Sequence, residues 1–262
     1  FSNIETLNGG IGIDDFRFVS AGDVTSVHGG NNDNNILSLE TSNTNEWTLT
    51  SDDIGNAEFA ASRVLNFTGI QHLKGNNQID TFNLDFNADS AQGLGGNDIF
   101  NISANFTGSA SGGEGNDRIV GGNQTTVLRE ENFFGDVTVT SNGSSATISG
   151  LGNDKLLGTY SRFELTGDDG PNRIDASGVN FSVTLLGGGG DDTLLGGSKG
   201  DSLDGGDGTD RIEQTVDLEQ VLSDTLVTGR GADTLSSIEE AVLIGGEQGT
   251  NINTQAFTGN VT

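Results

Sequence analysis

The chain has 262 residues, of which 42 are glycine, one is proline and only 32% are hydrophobic; a conventional globular core is excluded, and something else must order it. Eleven Lys and Arg against 38 Asp and Glu give a formal charge of −27, which repels nucleic-acid phosphates and anionic lipid surfaces and attracts cations. Cysteine is absent, so disulfides and thiolate-bound zinc are excluded, and no run approaches the ~18 apolar residues of a membrane span.

Short glycine-rich motifs punctuate the chain. GGIGIDDFR (9–17) and GGNNDNNIL (29–37) come first, then GNNQIDTFN (75–83), GLGGNDIFN (93–101), GGEGNDRIV (112–120), SGLGNDKLL (149–157) and GDDGPNRID (167–175). Three nonapeptides follow in tandem, GGGGDDTLL (187–195), GGSKGDSLD (196–204) and GGDGTDRIE (205–213), and TGRGADTLS (228–236) and GGEQGTNIN (245–253) close the series. Most isolated copies start about 17 to 20 residues apart, or about twice that, which predicts a solenoid coil of ~18–20 residues. One edge carries a turn in most coils, and both edges do over 187–213. After each turn apolar and polar residues alternate, as in Phe16/Phe18, Phe82/Leu84/Phe86 and Phe100/Ile102, which is the period of a half-buried strand. The expected fold is all-β: a right-handed parallel β-helix or β-roll, a single repeat solenoid over 1–262 with its best-formed segment at 187–213. Some 13 or 14 coils stacked about 4.8 Å apart predict a rod ~65 Å long.

A longer period overlies the first. FSNIETLNGG (1–10), FTGIQHLKGN (67–76), YSRFELTGDDG (160–170) and LSSIEEAVLIGG (235–246) share an aromatic or apolar start, an Ile or Phe followed by Glu or Gln, and a turn.

The tandem nonapeptides follow G-G-x-G-x-D-x-U-x, with U a large apolar residue. Over 187–213 the chain resembles the repeats-in-toxin (RTX), or hemolysin-type, calcium-binding repeat family. Lys199 departs from the pattern by replacing a turn glycine. The longer period resembles the β-strand-repeat surface proteins and filamentous adhesins of bacteria. The resemblance implies Ca2+, and the residues suit it: calcium takes six to eight oxygens from carboxylates and carbonyls, and glycines let carbonyls face inward. One turn supplies too few oxygens, so aspartates one coil apart must complete each other's sites. Asp192 with Asp210, and Asp80, Asp98 and Asp117, meet that condition at spacings of 18 or 19, and Asp201 lies in the same tandem segment. Asp14 is expected to find only Asn34, Asp154 only Asn172 and Asp233 only Thr250, which makes those three weaker ligands. The other reading of an isolated motif such as 29–37 or 245–253 is a plain tight turn capped by its own Asn or Asp. Affinity on the order of 10⁻⁴–10⁻³ M is expected, as in extracellular modules.

Enzymatic signals are thin. GGSKG (196–200) matches G-x-S-x-G with Ser198 as the nucleophile, yet it lies inside the nonapeptide array, and His28 and His72 both precede it. No H-E-x-x-H is present. The two histidines are expected to be polar turn-flanking residues, and acid pairs such as Asp52/Asp53 or Glu130/Glu131 to be solvated surface. The sequence therefore reads as a secreted, extracellular, calcium-binding structural or adhesive surface module (fibre, sheath or surface layer) and not an enzyme. Its expected partners are calcium ions and other copies, end to end, or other surface proteins, with polysaccharide a further candidate; no nucleic acid and no membrane span are expected. Two alternatives stay open. One is a carbohydrate-active β-helix enzyme, a lyase or epimerase, by fold analogy, although no basic cluster in the sequence would hold a uronate. The other is a calcium-binding repeat fragment of a secreted toxin or hydrolase.

Overall fold

A computed structural model describes residues 5–20, 23–30, 34–59, 63–121, 127–133, 137–141, 145–150, 152–158, 162–216, 219–247 and 250–262. Every regular element among them is a β-strand. The strands gather in two compact units, 1–128 with 152–161, and 129–151 with 162–262.

In the first unit the chain feeds short strands alternately into two sheets, and strands of successive coils pair in parallel. One sheet contains Thr6–Asn8, Ser26–His28, Thr81–Leu84, Ile99–Ile102, Arg118–Gly121 and Asn153–Gly158; the other contains Asp15–Phe18, Ile36–Leu39, His72–Lys74, Ser90–Gly95 and Ser109–Glu114. Because the motif repeats, the register stacks like on like. Trp47, Phe82, Phe100, Ile119 and Leu156 form one inward column, and Phe16, Leu37, Leu73, Ala91, Ala110 and Leu128 another. The Trp47 and Phe82 rings stack 5.7 Å apart and the Phe82 and Phe100 rings 4.6 Å apart, all three fully buried. Such columns bury apolar area that no single thin coil could bury alone. Phe86, expected to continue the alternation, lies past the end of Thr81–Leu84 and is 37% exposed.

The doubled motif spacing has a cause that the period did not predict. Between the motifs at 29–37 and 75–83, the strands Asn45–Ser51, Ile54–Phe59 and Arg63–Thr68 form an antiparallel meander within one sheet. Asp53, left-handed at φ 56°, sits in its first hairpin. The outer strands of the meander then pair in parallel with Thr81–Leu84 and Ser26–His28. The extra chain adds layers to one sheet and no motif-bearing coil.

The second unit repeats the scheme. Arg173–Gly178, Thr193–Leu195, Arg211–Val216 and Glu240–Gly245 line up in one sheet, with the antiparallel pair Val137–Ser141 and Ser145–Ser149 beside Arg173–Gly178. Arg162–Gly167, Val183–Gly189, Ser202–Asp207 and Ala232–Ser236 line up in the other, followed by an antiparallel meander through Leu226–Thr228 and Gln220–Ser223. Ile174, Leu194, Ile212 and Ala241 form one core column, and Leu165, Leu185, Leu203 and Leu235 the other. The fold is the expected all-β parallel solenoid of β-roll type. Phe1 and Tyr160, the aromatic starts of two long-period segments, lie outside the described residues. No helix among the described residues is long and apolar enough to cross a membrane.

Candidate metal centre

The motif aspartates turn inward. Asp80, Asp98, Asp117, Asp154, Asp192, Asp201, Asp210 and Asp233 are each at most 5% exposed, and Asp14 is half-buried. The Oδ1 atoms of the eight buried ones form ladders, each accepting a backbone N–H from the neighbouring layer. In the first unit Asn45 donates to Asp80 at 2.8 Å, Asp80 to Asp98 at 2.8 Å, Asp98 to Asp117 at 2.7 Å and Asp117 to Asp154 at 2.8 Å. In the second unit one ladder runs from Asn172 to Asp192 (2.7 Å) and on to Asp210 (2.8 Å), and the other from Val183 to Asp201 (2.9 Å) and on to Asp233 (3.0 Å).

Three expected pairings change. Asp14 donates its N–H to Asn35 Oδ1 at 3.0 Å, while Asn34 is exposed; along a strand one residue separates the two faces. Asp154 joins Asp117 rather than Asn172, and Asp233 joins Asp201 rather than Thr250, across sequence gaps of 37 and 32 residues. Thr250 Oγ1 instead accepts the N–H of Gly246 in its own turn. The ladders also use two residues that motif reading passed over. Gln71 Oε1 accepts the Asn35 N–H and Glu239 Oε2 the Asp210 N–H, both at 2.9 Å. Their signal was the Ile-Gln and Ile-Glu pair of the longer period.

The second carboxylate oxygen divides the turns into two kinds. In 9–14, 75–80 and 196–201 it is capped by the N–H of the turn's second residue: Gly10 to Asp14 (2.8 Å), Asn76 to Asp80 (2.7 Å) and Gly197 to Asp201 (2.6 Å). In the turns that end at Asp98, Asp117, Asp154, Asp192 and Asp210, Oδ2 is buried with no hydrogen-bond partner. Backbone conformation separates these two sets, and the turn 228–233, with Gly229 and Gly231 left-handed, has the backbone of the open set although Asp233 Oδ2 is not among the buried, unpartnered atoms. In all five open turns the second and fourth residues are left-handed: Leu94 and Gly96, Gly113 and Gly115, Gly150 and Gly152, Gly188 and Gly190, Gly206 and Gly208. In the three capped turns neither residue is. Lys199, at the fourth position of 196–201, is a residue that resists positive φ, and its turn is capped.

The open turns hold acceptors without a donor. A Cβ on Gly93 would fall on Asp98 Oδ2 and the Gly112 carbonyl oxygen, and one on Gly187 would fall on Asp192 Oδ2 and the Gly205 carbonyl oxygen. Asn35 shows the same cradle satisfied: its Nδ2 donates to the carbonyls of Gly29 and Gly69, both at 3.0 Å. Where a carboxylate replaces that amide, oxygen faces oxygen, and a cation is the missing partner.

Electrostatics agree. Burial pushes Asp98 up to about 8, against the Asp80 N–H, with the Asp117 and Asp80 charges adding to the rise. Burial likewise carries Asp117 to about 7 and Asp154 to about 6. Burial also raises Asp80, which has N–H donors on both oxygens, to about 6. In the second unit burial lifts Asp192 and Asp233 to about 6 and also raises Asp201 and Asp210. The donor set is all oxygen, which suits a hard cation of flexible coordination. Among the described residues no three His, Cys, Asp or Glu side chains converge, so backbone carbonyls must share the work with one or two carboxylates.

The family model of the RTX calcium-binding nonapeptide repeat matches four copies, at residues 109–128, 186–213 and 222–237. The chain carries RTX calcium-binding repeats. Calcium is the ion that repeats of this family bind, and the matched segments contain Asp117, Asp192, Asp201, Asp210 and Asp233. No curated protein matches the chain. Outside the RTX turns, His28 Nδ1 meets the Thr68 hydroxyl at 2.7 Å and His72 Nδ1 the Ser90 hydroxyl at 2.9 Å, so both histidines serve as polar rungs between neighbouring strands. Ser198 lies in the RTX turn between Thr193–Leu195 and Ser202–Asp207, two strands, where a nucleophile elbow would join a strand to a helix. Glu130, expected on a solvated surface, is buried, and the side chain of Glu131 lies outside the described residues.

Proposed function

We propose that this RTX-repeat protein is an extracellular structural or adhesive module whose coils are locked by calcium. The observation that carries the reading is the set of five buried, unpartnered Oδ2 atoms on turns with paired left-handed residues. Asp98, Asp117 and Asp154 in the first unit, and Asp192 and Asp210 in the second, would hold the ion together with carbonyls of the glycine turns. Calcium would supply the positive charge and the oxygen coordination that these acceptors lack. Asp14, Asp80 and Asp201 act first as turn caps, because their own turns already use Oδ2, and in Asp80 and Asp201 the neighbouring layer uses Oδ1 as well; Asp233 completes the ladder from Asp201. Sites built from carbonyls and one or two carboxylates bind loosely, on the order of 10⁻⁴–10⁻³ M, and fill only where calcium is abundant, as it is outside cells.

The ladder chemistry is repetitive and the chain strongly acidic, so calcium between layers, and between copies, is the natural cement for self-association or for docking to other surface proteins. Light scattering with and without calcium on the order of millimolar tests this part. Calcium-dependent growth in mass, with fibres by electron microscopy, is expected. A chain that binds calcium yet stays strictly monomeric at high concentration would overturn the assembly role.

A further inference from the structure

One strand of the second unit stops early. Thr193–Leu195 pairs with Arg173–Asp175 on one side and with Arg211 and Ile212 on the other, and then the chain leaves the sheet. Its neighbours run on, through Ala176, Ser177 and Gly178 in one strand and through Gln214, Thr215 and Val216 in the other. Two strand spacings, about 9.5 Å, therefore separate those extensions with no strand between them. A cavity of about 300 Å³ opens there, walled by Ser177, Glu213, Gln214, Thr215 and Arg230 over a floor that includes Leu203 and Ile212. That is the lower end of the size range of small-ligand pockets.

Arg230 is the unusual wall. It projects from a turn between two left-handed glycines, Gly229 and Gly231, and one guanidinium N–H, on Nη2, donates to the Ser177 carbonyl at 2.6 Å. It makes no ion pair among the described residues, in a chain with 38 acids. Burial raises Asp201 and Asp233, the Arg230 charge offsets part of that rise, and neither is bonded to it. A guanidinium has five N–H donors in a planar fork, and most of Arg230's are unspent. Arg173, also in the lining, is held by Glu213 at 2.8 Å and Asp175 at 3.3 Å. Residues scattered in sequence thus meet in space, giving a cationic fork beside oxygen acceptors: Gln214 Oε1, whose Nε2 is spent on Gln220 and the Thr228 carbonyl, the Ser177 Oγ, which donates to Asp175, and the Thr215 hydroxyl, with the Glu213 and Asp233 carboxylates also in the lining.

We propose that this slot binds a small carboxylate carried on a hydroxylated ring, a uronic acid residue of an acidic polysaccharide. Arg230 takes the carboxylate in bidentate fashion, Gln214 Oε1 and the hydroxyl oxygens of Ser177 and Thr215 accept from the ring hydroxyls, and the apolar floor takes the ring face. The site adjoins two RTX turns, since Arg230 lies within 228–233 and Gly196 and Asp233 also line the cavity, but none of the five open turns contributes to the lining; the polymer it implies is one whose acid groups suit a calcium-rich setting.

Titration of the calcium-loaded chain with glucuronate, acetate and glucose, followed by calorimetry and by NMR, tests it. Glucuronate is expected to saturate at millimolar concentration, with acetate at least about tenfold weaker and glucose silent, since each lacks half of the recognition. Arg230→Gln should weaken glucuronate about tenfold or more while calcium binding at the open turns is retained. Thr215→Trp, which crowds the outer rim without touching a ladder, should do the same and covers the case in which Arg230→Gln fails to fold. Equal binding of acetate and glucuronate would reduce the site to a simple carboxylate pocket and overturn the sugar assignment. No saturable binding, or binding indifferent to both substitutions, would overturn the site altogether.

Discussion

The turns 75–80 and 93–98 lie in neighbouring layers of the first unit, end in aspartates at the same ladder position, and differ in the backbone of their second and fourth residues. In 75–80 the second residue, Asn76, keeps an ordinary φ and its N–H caps Asp80 Oδ2. In 93–98 the second residue, Leu94, is left-handed at φ 79°, and Asp98 Oδ2 is left buried and bare. The capped turn is a finished piece of protein structure, whereas the open turn is unfinished until a cation arrives. An aspartate at the motif position is therefore not sufficient for a metal site; the turn must also decline to satisfy it.

Removal of calcium tests the comparison most severely. Chelation at pH 8 should abolish most of the β-signal in circular dichroism, because five bare carboxylate oxygens and a charge of −27 then act together against the fold. Trp47 is the one tryptophan and is fully buried beside Phe82, so its emission should shift to the red as the first unit loosens and return on adding calcium. Sodium chloride at equal ionic strength should not restore it. A chelated chain with unchanged spectra would show that the open turns stand without metal.

Protons should substitute for calcium, and the sign is fixed. Asp98, Asp117, Asp154 and Asp192 have folded values of about 8, 7, 6 and 6 against an ordinary 3.8, so the folded chain binds more protons than the unfolded chain between those limits. Stability of the metal-free chain must then fall as pH rises from about 4 to about 8 and recover on acidification. Denaturant melts in chelator at several pH values would show it. Metal-free stability that rises with pH across that window would contradict the buried ladder.

Asparagine substitution separates the two turns directly. Asp98→Asn keeps an oxygen for the Asp80 N–H and puts an amide where Oδ2 was bare, reproducing what Asn35 does with the Gly29 and Gly69 carbonyls. It should stabilise the chelated chain by about 1–2 kcal/mol, the scale of satisfying a buried polar group, and weaken calcium binding about tenfold. Asp80→Asn should do the opposite: an amide set against the Asn76 N–H costs about 1–2 kcal/mol with or without calcium, and calcium affinity stays within about threefold. Calorimetric titration and melts of both variants check it, and equal calcium losses would erase the distinction between the turns.

Much of this was legible in the chain before folding. Glycine spacing and the alternation at Phe82/Leu84 and Phe100/Ile102 predict strands, turns and parallel stacking, because like residues recur at one coil length. The meanders were not legible: Asn45–Ser51, Ile54–Phe59 and Arg63–Thr68 carry the same alternation as any parallel strand, and strand direction leaves no mark in a period of two. That is why Asp154 and Asp233 were matched to the wrong partners. The distinction between Asp80 and Asp98 was partly legible, since GNNQ lacks the second and fourth glycines of the motif, but GLGG hides a left-handed leucine where glycine is expected. The Arg230 slot depends on one strand ending early, which no local pattern announces.

Leu94 offers the smallest and cleanest effect. A left-handed non-glycine residue costs roughly 1–2 kcal/mol from Cβ against its own carbonyl, and a glycine costs roughly 0.5–1 kcal/mol in lost chain entropy, so Leu94→Gly should gain about 0.5–1 kcal/mol. The side chain is 42% exposed, so little burial is forfeited. The mirror substitution, Asn76→Gly in the capped turn, has no strain to relieve and gives up the Asn76 amide bonds to the Thr41 and Asn43 carbonyls, at 2.7 and 2.8 Å, so it should lose stability. Urea melts in saturating calcium compare the two. Opposite signs are expected, with calcium affinity of Leu94→Gly preserved. If Leu94→Gly destabilises instead, the second residue of 93–98 is not left-handed in solution, its N–H is free to cap Asp98, and the open turn closes into the capped kind.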